Sequence, residues 1–352
     1  ILNAFRKILN ETEQIKGKVF LTSGLGGMSG AQPKAGNICG CITVCAEVNS
    51  KAAKKRHRQG WVDELTQDMD FLIQRVKKAI ETHEVLSIAY IGNVVDVWEQ
   101  FYTEGIYVHI GSDQTSLHIP WTGGYYPVGL TLEESNTLLK EEPEAFKVKV
   151  QESLRRHVAI IQKHTDKGTY FFDYGNAFLL ESSRAGATVM KENKIDFKYP
   201  SYVQDILGPM CFDLGFGPFR WVCTSGNPSD LEKTDTIALN VLKEISLSAP
   251  PEIKLQLNDN IKWIEEANKN KMVVGSQARI LYADAEGRMK IAEAFNNAVK
   301  KGEITAPIVL GRDHHDVSGT DSPYRETSNI YDGSKYTADM AIQNVIGDSF
   351  RG

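Results

Sequence analysis

The chain has 352 residues, of which 41% are hydrophobic and 24% charged; the length suits two domains and the composition an ordinary globular protein. A formal net charge of −5 gives no support for nucleic acid or an anionic membrane as a partner, and no apolar run approaches the roughly 20 residues of a membrane span. The five cysteines lack the spacing of a disulfide framework, which predicts free thiols and a cytoplasmic location.

The first half of the chain alternates between predicted strands and helices. Strands are predicted at residues 19–22, 42–47, 86–91, 106–110 and 170–173, and helices at 62–82, from Asn93 onward and at 146–164. This alternation indicates βαβ units and a mainly parallel sheet of the α/β class. Ligands bind such sheets beyond the carboxyl ends of the strands. The residues predicted at that edge are Glu47, Asn93, Gln114 and Tyr174.

The second half has a different pattern. Residues 210–227 are rich in glycine, proline and aromatic residues and are interpreted as an ordered loop system. Helices are predicted at 234–245, 253–268 and 287–301, and a short buried strand at 308–310. Residues 311–334 form a long polar stretch, and long polar loops in compact domains are usually functional.

A glycine-rich turn follows the first predicted strand and contains Gly24, Gly26, Gly27 and Gly30. Glycine lets the backbone approach a ligand closely, and a helix N-terminus behind the turn offers N–H groups to a phosphate. Glu47 comes 23 residues after Gly24, near the distance at which a dinucleotide site has a carboxylate for ribose hydroxyls. The Gly-x-Gly-x-x-x-Gly spacing is one residue longer than the usual fingerprint, so a plain strand-to-helix turn is the alternative.

Two arginines are candidates for binding an anionic substrate. Arg220 lies among rigid and aromatic residues, which suits a bidentate clamp on a carboxylate; the alternative is packing against Phe219 or Trp221. Arg325 is the second candidate, and its alternative is an ion pair with Glu326 on a solvated loop.

Charged residues also cluster after the last predicted strand, at Arg312, Asp313 and His314. His314 and His315 are adjacent, so on an extended chain they point in opposite directions and do not easily share a metal ion. No zinc-type spacing is present and no metal is predicted; acid, base and hydrogen-bonding roles fit better. The basic run at residues 54–58 is interpreted as the solvated face of a helix, and Cys41 and Cys45 as packing residues.

Six unusual segments occur in order along the chain. They are residues 22–33 (TSGLGGMSGAQP), 113–118 (DQTSLH), 172–176 (FDYGN), 215–221 (GFGPFRW), 276–280 (SQARI) and 311–316 (GRDHHD), the last followed by 322–327 (SPYRET). Together they resemble the urocanase (urocanate hydratase) family over nearly the whole chain. The resemblance implies a Rossmann-like NAD-binding domain at residues 1–207 and part of a second α/β catalytic domain at 208–352.

The resemblance also implies an activity and its site. Urocanases add water to urocanate, giving 4-imidazolone-5-propionate, with tightly bound NAD as an electrophile that is not consumed, and they form homodimers. Arg220 corresponds to the arginine that binds the substrate carboxylate, and Arg312, Asp313, His314 and Arg325 complete the expected catalytic set. The expected NAD contacts, with the glycines of the turn, are Gly24, Gly26, Gly27, Met28, Ser29, Glu47, Asn93, Val94, Gln114, Thr115, Ser116, Leu117, His118, Tyr125, Tyr126 and Tyr174.

Two positions depart from bacterial members of the family. Leu281 stands where they have an active-site cysteine, which suggests the eukaryotic branch. Ser29 stands where they often have glycine, and its small side chain is expected to be tolerated. The family sequence extends further at both ends, so the chain is expected to be a fragment. A dehydrogenase acting on a small anionic substrate and a non-catalytic dinucleotide-binding module are the alternative functions.

Overall fold

The computed structural model describes residues 1–10, 14–27, 29–113, 115, 117, 120–175, 177–272 and 277–311. The chain divides into two compact units, Ile1–Val203 and Gln204–Gly352. The sequence places this border between residues 207 and 208.

The first unit contains a six-stranded parallel sheet. Its strands are β1 (Val19–Ser23), β2 (Ile42–Glu47), β3 (Glu64–Thr66), β4 (Leu86–Ile91), β5 (Ile110–Asp113) and β6 (Tyr170–Asp173). They lie in the order β3-β4-β2-β1-β5-β6, and each neighbouring pair is parallel. Because the chain runs from β1 to one side of the sheet and returns to its other side at β5, the direction of winding reverses at β1. Such a reversal is where open α/β sheets bind ligands, and the predicted α/β class is confirmed.

Eight helices of the first unit are described. They are α1 (Leu2–Ile8), α2 (Gln32–Cys39), α3 (Ser50–Arg58), α4 (Met69–Glu81), α5 (Val94–Thr103), α6 (Leu132–Glu141), α7 (Pro143–Thr165) and α8 (Phe178–Arg184). Residues of β1, β2, β4, α4, α5 and α7 belong to one buried apolar cluster. Strands buried on both faces need apolar side chains at successive positions, which explains the continuous rather than alternating apolar runs of β1 and β2.

Side-chain caps fix the N-termini of several helices. The carboxylate of Asp68 accepts the N–H of Phe71 and starts α4, and the side chain of Asn93 accepts the N–H of Val95 and starts α5. The helix begins only after its cap at Asp68, so the predicted helix at 62–82 is wrong in its first turns. There Glu64–Thr66 pairs with β4 as a strand. Helix α6 was not predicted, although its capping box of Thr131 and Glu134 is visible in the sequence.

The predicted strand at 106–110 is displaced in the structure. The hydrogen-bonded strand β5 begins at Ile110 and continues to Asp113. Ile106 and Val108 are buried without belonging to a strand, so their apolar side chains gave a strand-like pattern outside the sheet. Burial, and not strand pairing, produced this part of the pattern.

The second unit contains a three-stranded antiparallel sheet in the order β8-β7-β9, formed by β7 (Gly217–Cys223), β8 (Ala278–Ala283) and β9 (Ile308–Gly311). Its helices are α9 (Gly208–Met210), α10 (Pro228–Ser248), α11 (Pro251–Glu265) and α12 (Ala285–Lys300). A second apolar cluster joins β7 and β8 to α10, α11 and α12. The guanidinium of Arg279 on β8 is buried against the carboxylate of Asp235 on α10, with Nη2 and Oδ2 2.8 Å apart. This ion pair gives the arginine of the 276–280 segment a structural contact.

Two sequence predictions in the second unit are wrong. Residues 210–227 contain strand β7 and not only loops. The glycines and prolines indicated loops, but alternate side chains in the run beside them are buried, as in a strand. The predicted strand at 308–310 exists as β9, but Val309 and Leu310 are 55% and 40% exposed. Three apolar residues in succession indicated burial, whereas β9 pairs with β7 at an edge of the sheet.

Gly36 permits the close packing of helix α2 on strand β2. A Cβ atom at Gly36 would lie 1.8 Å from Thr43 Oγ1 and 3.3 Å from Cys41 Sγ. The third glycine of a dinucleotide-binding fingerprint commonly allows such helix–strand contact. The sequence assigned the third glycine of the turn to Gly30, whose neighbour is instead the guanidinium of Arg56.

We expect Gly36→Ala to lower the free energy of unfolding by about 1–3 kcal/mol, the usual cost of an overpacked core. Alanine favours a helix by about 1 kcal/mol over glycine, so a net loss identifies the steric conflict. Chemical denaturation of the single variant and of Gly36→Ala combined with Thr43→Ala measures it. Removing the Thr43 hydroxyl should recover part of the loss; an alanine that stabilised the protein would contradict the packing argument.

Candidate functional site

An open cleft lies beyond the carboxyl ends of β1, β2, β4 and β5 in the first unit. Its volume is about 160 Å³. Its lining comes from segments that follow four strands and from the turn before α6: Ser23, Gly24, Gly26, Ser29, Ala46, Glu47, Val48, Gly92, Asn93, Val94, Thr115, Gly124, Tyr125 and Tyr126.

The glycine turn forms one wall of this cleft. Gly24 has a φ of 86°, which side chains other than glycine rarely adopt, and its N–H donates to the carbonyl of Ala46 at 2.8 Å. The N–H of Gly26 donates to Ser29 Oγ at 3.0 Å. Among the described residues, the N–H groups of Gly27 and Ser29 have no such acceptor. These two amides are therefore the turn's available donors for a ligand.

Glu47 ties the end of β2 to the glycine turn. Its Oε2 accepts the N–H of Leu25 at 2.7 Å, and its Oε1 accepts the N–H of Asn49 at 2.8 Å. Burial raises the pKa of Glu47, while these two main-chain hydrogen bonds act in the opposite direction. The carboxylate predicted for a ribose thus also shapes the turn beside it.

Asn93 connects two segments of the cleft wall. Its Oδ1 caps α5, and its Nδ2 donates to the carbonyl of Tyr126 at 3.0 Å. Val94 is the next residue of the cleft wall and is buried. The hydroxyl of Tyr126 donates to Asn136 Oδ1 at 3.2 Å. The structure therefore brings Asn93, Val94 and Tyr126 together with the glycine turn.

Tyr125 lines the cleft and is 2% exposed. Its hydroxyl lies 3.2 Å from Nδ1 of the fully buried His157. Nearby, Asp113 accepts the hydroxyl of Ser23 at 2.5 Å and the N–H of Thr115 at 3.0 Å. A buried polar network therefore supports this side of the cleft, and His157 is a member of it that the sequence did not indicate.

The protonation of His157 provides a test of this network. Burial lowers the pKa of His157 from 6.5 to about 4, although the carboxylates of Asp113 and Glu99 favour the charged ring. Because the unfolded chain keeps a pKa of about 6.5, it binds more protons between these values, and stability falls as the pH falls from about 6.5 to about 4.

We expect His157→Asn to reduce this loss of stability. Between about pH 7 and about pH 4.5, the variant should lose about 2 kcal/mol less unfolding free energy than the wild type. Denaturant unfolding at both pH values measures the difference. His164, whose pKa burial also lowers, is present in both proteins and cancels in the comparison. Equal losses would mean that His157 already titrates near its ordinary value.

Three predicted contacts are not part of the cleft lining, namely Gly27 of the turn, Leu117 and Tyr174. Leu117 is fully buried in the core of the first unit, so only its backbone is suited to a ligand contact. Tyr174 follows β6 and stacks on Tyr202, with ring centroids 4.7 Å apart. The predicted residues Met28, Gln114, Ser116, His118, Arg312, Asp313, His314 and Arg325 lie outside the described residues.

Arg56 contacts the glycine turn, a role that the sequence interpretation missed. It belongs to the basic run at 54–58, whose other members are exposed as predicted. Its guanidinium instead turns back to the carbonyl oxygens of Leu25, Gly26 and Gly27. The run was interpreted as a solvated face because a helical pattern gives no sign of a loop packed against one turn of the helix.

Arg220, the candidate for a substrate carboxylate, lies on β7 in the second unit. Its neighbours Phe219 and Trp221 are buried, whereas Arg220 is only half-buried and its side chain projects to the opposite face of the sheet. Among the described residues, its guanidinium makes no hydrogen bond or ion pair and stacks on no ring. The alternative of packing against Phe219 or Trp221 is therefore not supported by the strand geometry.

Within the described residues, no group of three or more His, Cys, Asp or Glu side chains could hold a metal ion. No helix in that part of the chain has the length and apolar character needed to cross a membrane. All five cysteines are free thiols.

The sheet order, the glycine turn and the cleft at the reversal of winding define a Rossmann-like α/β protein. Comparison with known families gives the particular relationship. The urocanase Rossmann-like domain matches residues 1–206, and the urocanase C-terminal domain matches residues 209–352. The chain belongs to the urocanase family.

Curated relatives agree with this assignment. The chain is 57% identical to a probable urocanate hydratase of Caenorhabditis elegans, 58% to the urocanate hydratase of Mus musculus and 56% to that of Homo sapiens. Each match covers 100% of this chain and 53% of the relative. The chain therefore spans about half the length of the curated relatives it matches.

Proposed function

We propose that the protein containing this chain is a urocanate hydratase of histidine degradation and uses NAD as its cofactor. The observation that carries the proposal is the match to both urocanase domains over nearly the whole chain. Relatives of more than 50% identity bear the name urocanate hydratase, which supports the same activity. The reaction would add water to urocanate to give 4-imidazolone-5-propionate.

The residues of the cleft fit a dinucleotide. Two amides of the glycine turn are available to phosphate oxygens, and a helical turn at Ser29–Ala31 leads into α2 directly behind them. Glu47 lines the same cleft and keeps lone pairs for ribose hydroxyls beyond its two main-chain bonds. NAD, when bound, would supply an electrophilic nicotinamide ring; the protein would bind, orient and move protons.

Arg220 is proposed to bind the carboxylate of urocanate. A half-buried guanidinium without a described partner suits a bidentate, charge-assisted contact with an anionic substrate. The proposed catalytic roles of Arg312, Asp313, His314 and Arg325 rest on the family resemblance of their segments. A homodimer is proposed on the same ground, and the free cysteines support a cytoplasmic location.

The experiment that tests the activity uses the full-length protein with urocanate. The ultraviolet absorbance of urocanate should fall over many turnovers while reduced nicotinamide, measured separately after quenching, does not accumulate. Reduced nicotinamide formed in step with product would overturn the hydratase proposal in favour of a dehydrogenase. Full-length protein that bound NAD but left urocanate unchanged would instead indicate a dinucleotide-binding module.

Replacing Glu47 tests the proposed ribose contact. Glu47→Gln keeps one acceptor oxygen for the main chain but loses the charge, and should weaken NAD binding by about 1–3 kcal/mol. Calorimetry with NAD and with an analogue lacking the adenosine 2′-hydroxyl gives a double-mutant cycle. If the carboxylate accepts that hydroxyl, the variant should show a smaller loss with the analogue. Equal losses with both ligands would assign Glu47 to shaping the glycine turn alone.

A further inference from the structure

Arg56 converges on three successive carbonyl groups of the glycine turn. Its Nε donates to the carbonyl of Leu25 at 3.2 Å, and its Nη2 donates to the carbonyls of Gly26 and Gly27, the latter at 3.2 Å. Its Nη1 donates to Gln59 Oε1 at 3.1 Å. The planar fork of a guanidinium can serve several acceptors at fixed angles, which a lysine ammonium cannot do equally well.

These contacts fix the orientation of peptide groups in the turn. In a trans peptide the C=O and the following N–H point in opposite directions, and no described peptide bond is cis. Holding the Gly26 carbonyl toward Arg56 therefore directs the Gly27 N–H away from it. That N–H is one of the two amides available to a ligand. The positive guanidinium also offsets the negative ends of three carbonyl dipoles beside a site for phosphate.

The rest of the turn accommodates this arginine. Gly30 leaves room for it, because a Cβ atom at Gly30 would lie 2.1 Å from Arg56 Nε. On the turn's other side Glu47 accepts the N–H of Leu25. The centre of the Trp61 ring lies 5.9 Å from Arg56 Cζ, within the range of a cation–π contact. The turn is thus held at its carbonyls by a cation and at an N–H by an anion.

We propose that Arg56 is a positioning residue for the dinucleotide site, holding the glycine turn in the shape that presents its free amides to the pyrophosphate. The proposal rests on the proposed function of this cleft. It explains why Gly30 is glycine without requiring Gly30 to touch the ligand. Arg56 itself contacts the turn and acts on the ligand through it.

The test compares four variants of the full-length protein: Arg56→Gln, Arg56→Lys, Gly30→Ala and the matched control Arg58→Gln. Arg58 is an exposed residue on the same helix, and its replacement removes the same charge. Calorimetry on NAD-free protein gives the dissociation constant of NAD. Hydrogen exchange of the peptide covering residues 24–31, without NAD, reports on the turn itself.

Arg56→Gln and Arg56→Lys should each weaken NAD binding by about 10- to 100-fold and speed exchange in the turn peptide, whereas Arg58→Gln should change neither by more than about twofold. Gly30→Ala keeps the charge but displaces the guanidinium, so it should resemble Arg56→Gln. Adding it to Arg56→Gln should cause little further loss. If Arg56→Gln does not fold, Arg56→Lys and Gly30→Ala decide the question.

Wild-type affinity and exchange in Arg56→Lys would overturn the proposal, because charge alone would then suffice. Equal behaviour of Arg56→Gln and Arg58→Gln would also overturn it. A wild-type protein that bound no NAD would refute the proposed function instead. In that case the exchange of the turn peptide still decides whether Arg56 holds the turn.

Discussion

Gly26→Val is expected to abolish NAD retention while leaving the fold intact. A Cβ atom at Gly26 would meet only Ser29 Oγ, at 3.6 Å, which is an ordinary contact, so the backbone tolerates a side chain. Because Gly26 lines the cleft, the valine methyl groups would occupy the space in which the turn approaches the pyrophosphate. Losing two charge-assisted hydrogen bonds there corresponds to roughly 3 kcal/mol or more, or at least about 100-fold in affinity.

The measurement is the nucleotide content of the purified full-length variant, with thermal unfolding of the NAD-free protein as the control for folding. Gly26→Ala should give an intermediate loss, since a single methyl group blocks less of the cleft. A valine variant that purified with its full complement of NAD would show that the turn does not hold the cofactor.

Arg220→Gln is expected to impair urocanate binding and turnover without releasing NAD. Removing one partner of a shielded, charge-assisted pair commonly costs about 2–5 kcal/mol. We therefore expect kcat/KM for urocanate to fall by roughly 100- to 1,000-fold or more. Arg220→Lys should recover only part of this loss, because an ammonium does not provide the bidentate geometry of a guanidinium.

The matched control is Lys300→Gln, which removes one positive charge from an exposed position of the same unit. Steady-state kinetics and the NAD content of all three variants separate substrate binding from cofactor binding. Arg220 is half-buried and has no partner among the described residues, so its replacement should leave the unfolding transition nearly unchanged. Normal kinetics in Arg220→Gln would mean that another group binds the carboxylate.

Local chemistry was sufficient to predict much of the first unit. The apolar runs of β2, β4 and β6 end where the structure ends these strands, because parallel strands buried on both faces consist mainly of apolar residues. The position of Glu47 at the end of β2 and of Asn93 before α5 predicted their place at the cleft. Both follow directly from which end of a parallel strand faces a ligand.

Apolar patterns that fit more than one type of secondary structure were harder to interpret. Residues 62–66 continue the apolar spacing of α4, but Glu64–Thr66 pairs with β4, and Ile106 and Val108 are buried outside any strand. In the second unit, the glycine and proline residues in and around β7 are typical of loops. They concealed the alternating burial of the strand's side chains. In each case the pattern recorded burial, whereas hydrogen-bonded partners distant in sequence decided the secondary structure.

The sequence by itself determined the α/β class, the glycine turn, the places of Glu47 and Asn93 beside it and the relationship to urocanases. Only the tertiary structure showed that Arg56 holds the carbonyls of the turn, that Gly36 rather than Gly30 permits helix–strand packing, and that His157 is buried behind Tyr125. Strand polarity and turn chemistry are local and repeat along the chain, so sequence reveals them. Contacts between residues 30 positions apart depend on how separate elements pack, and no local pattern encodes which side chain will meet which.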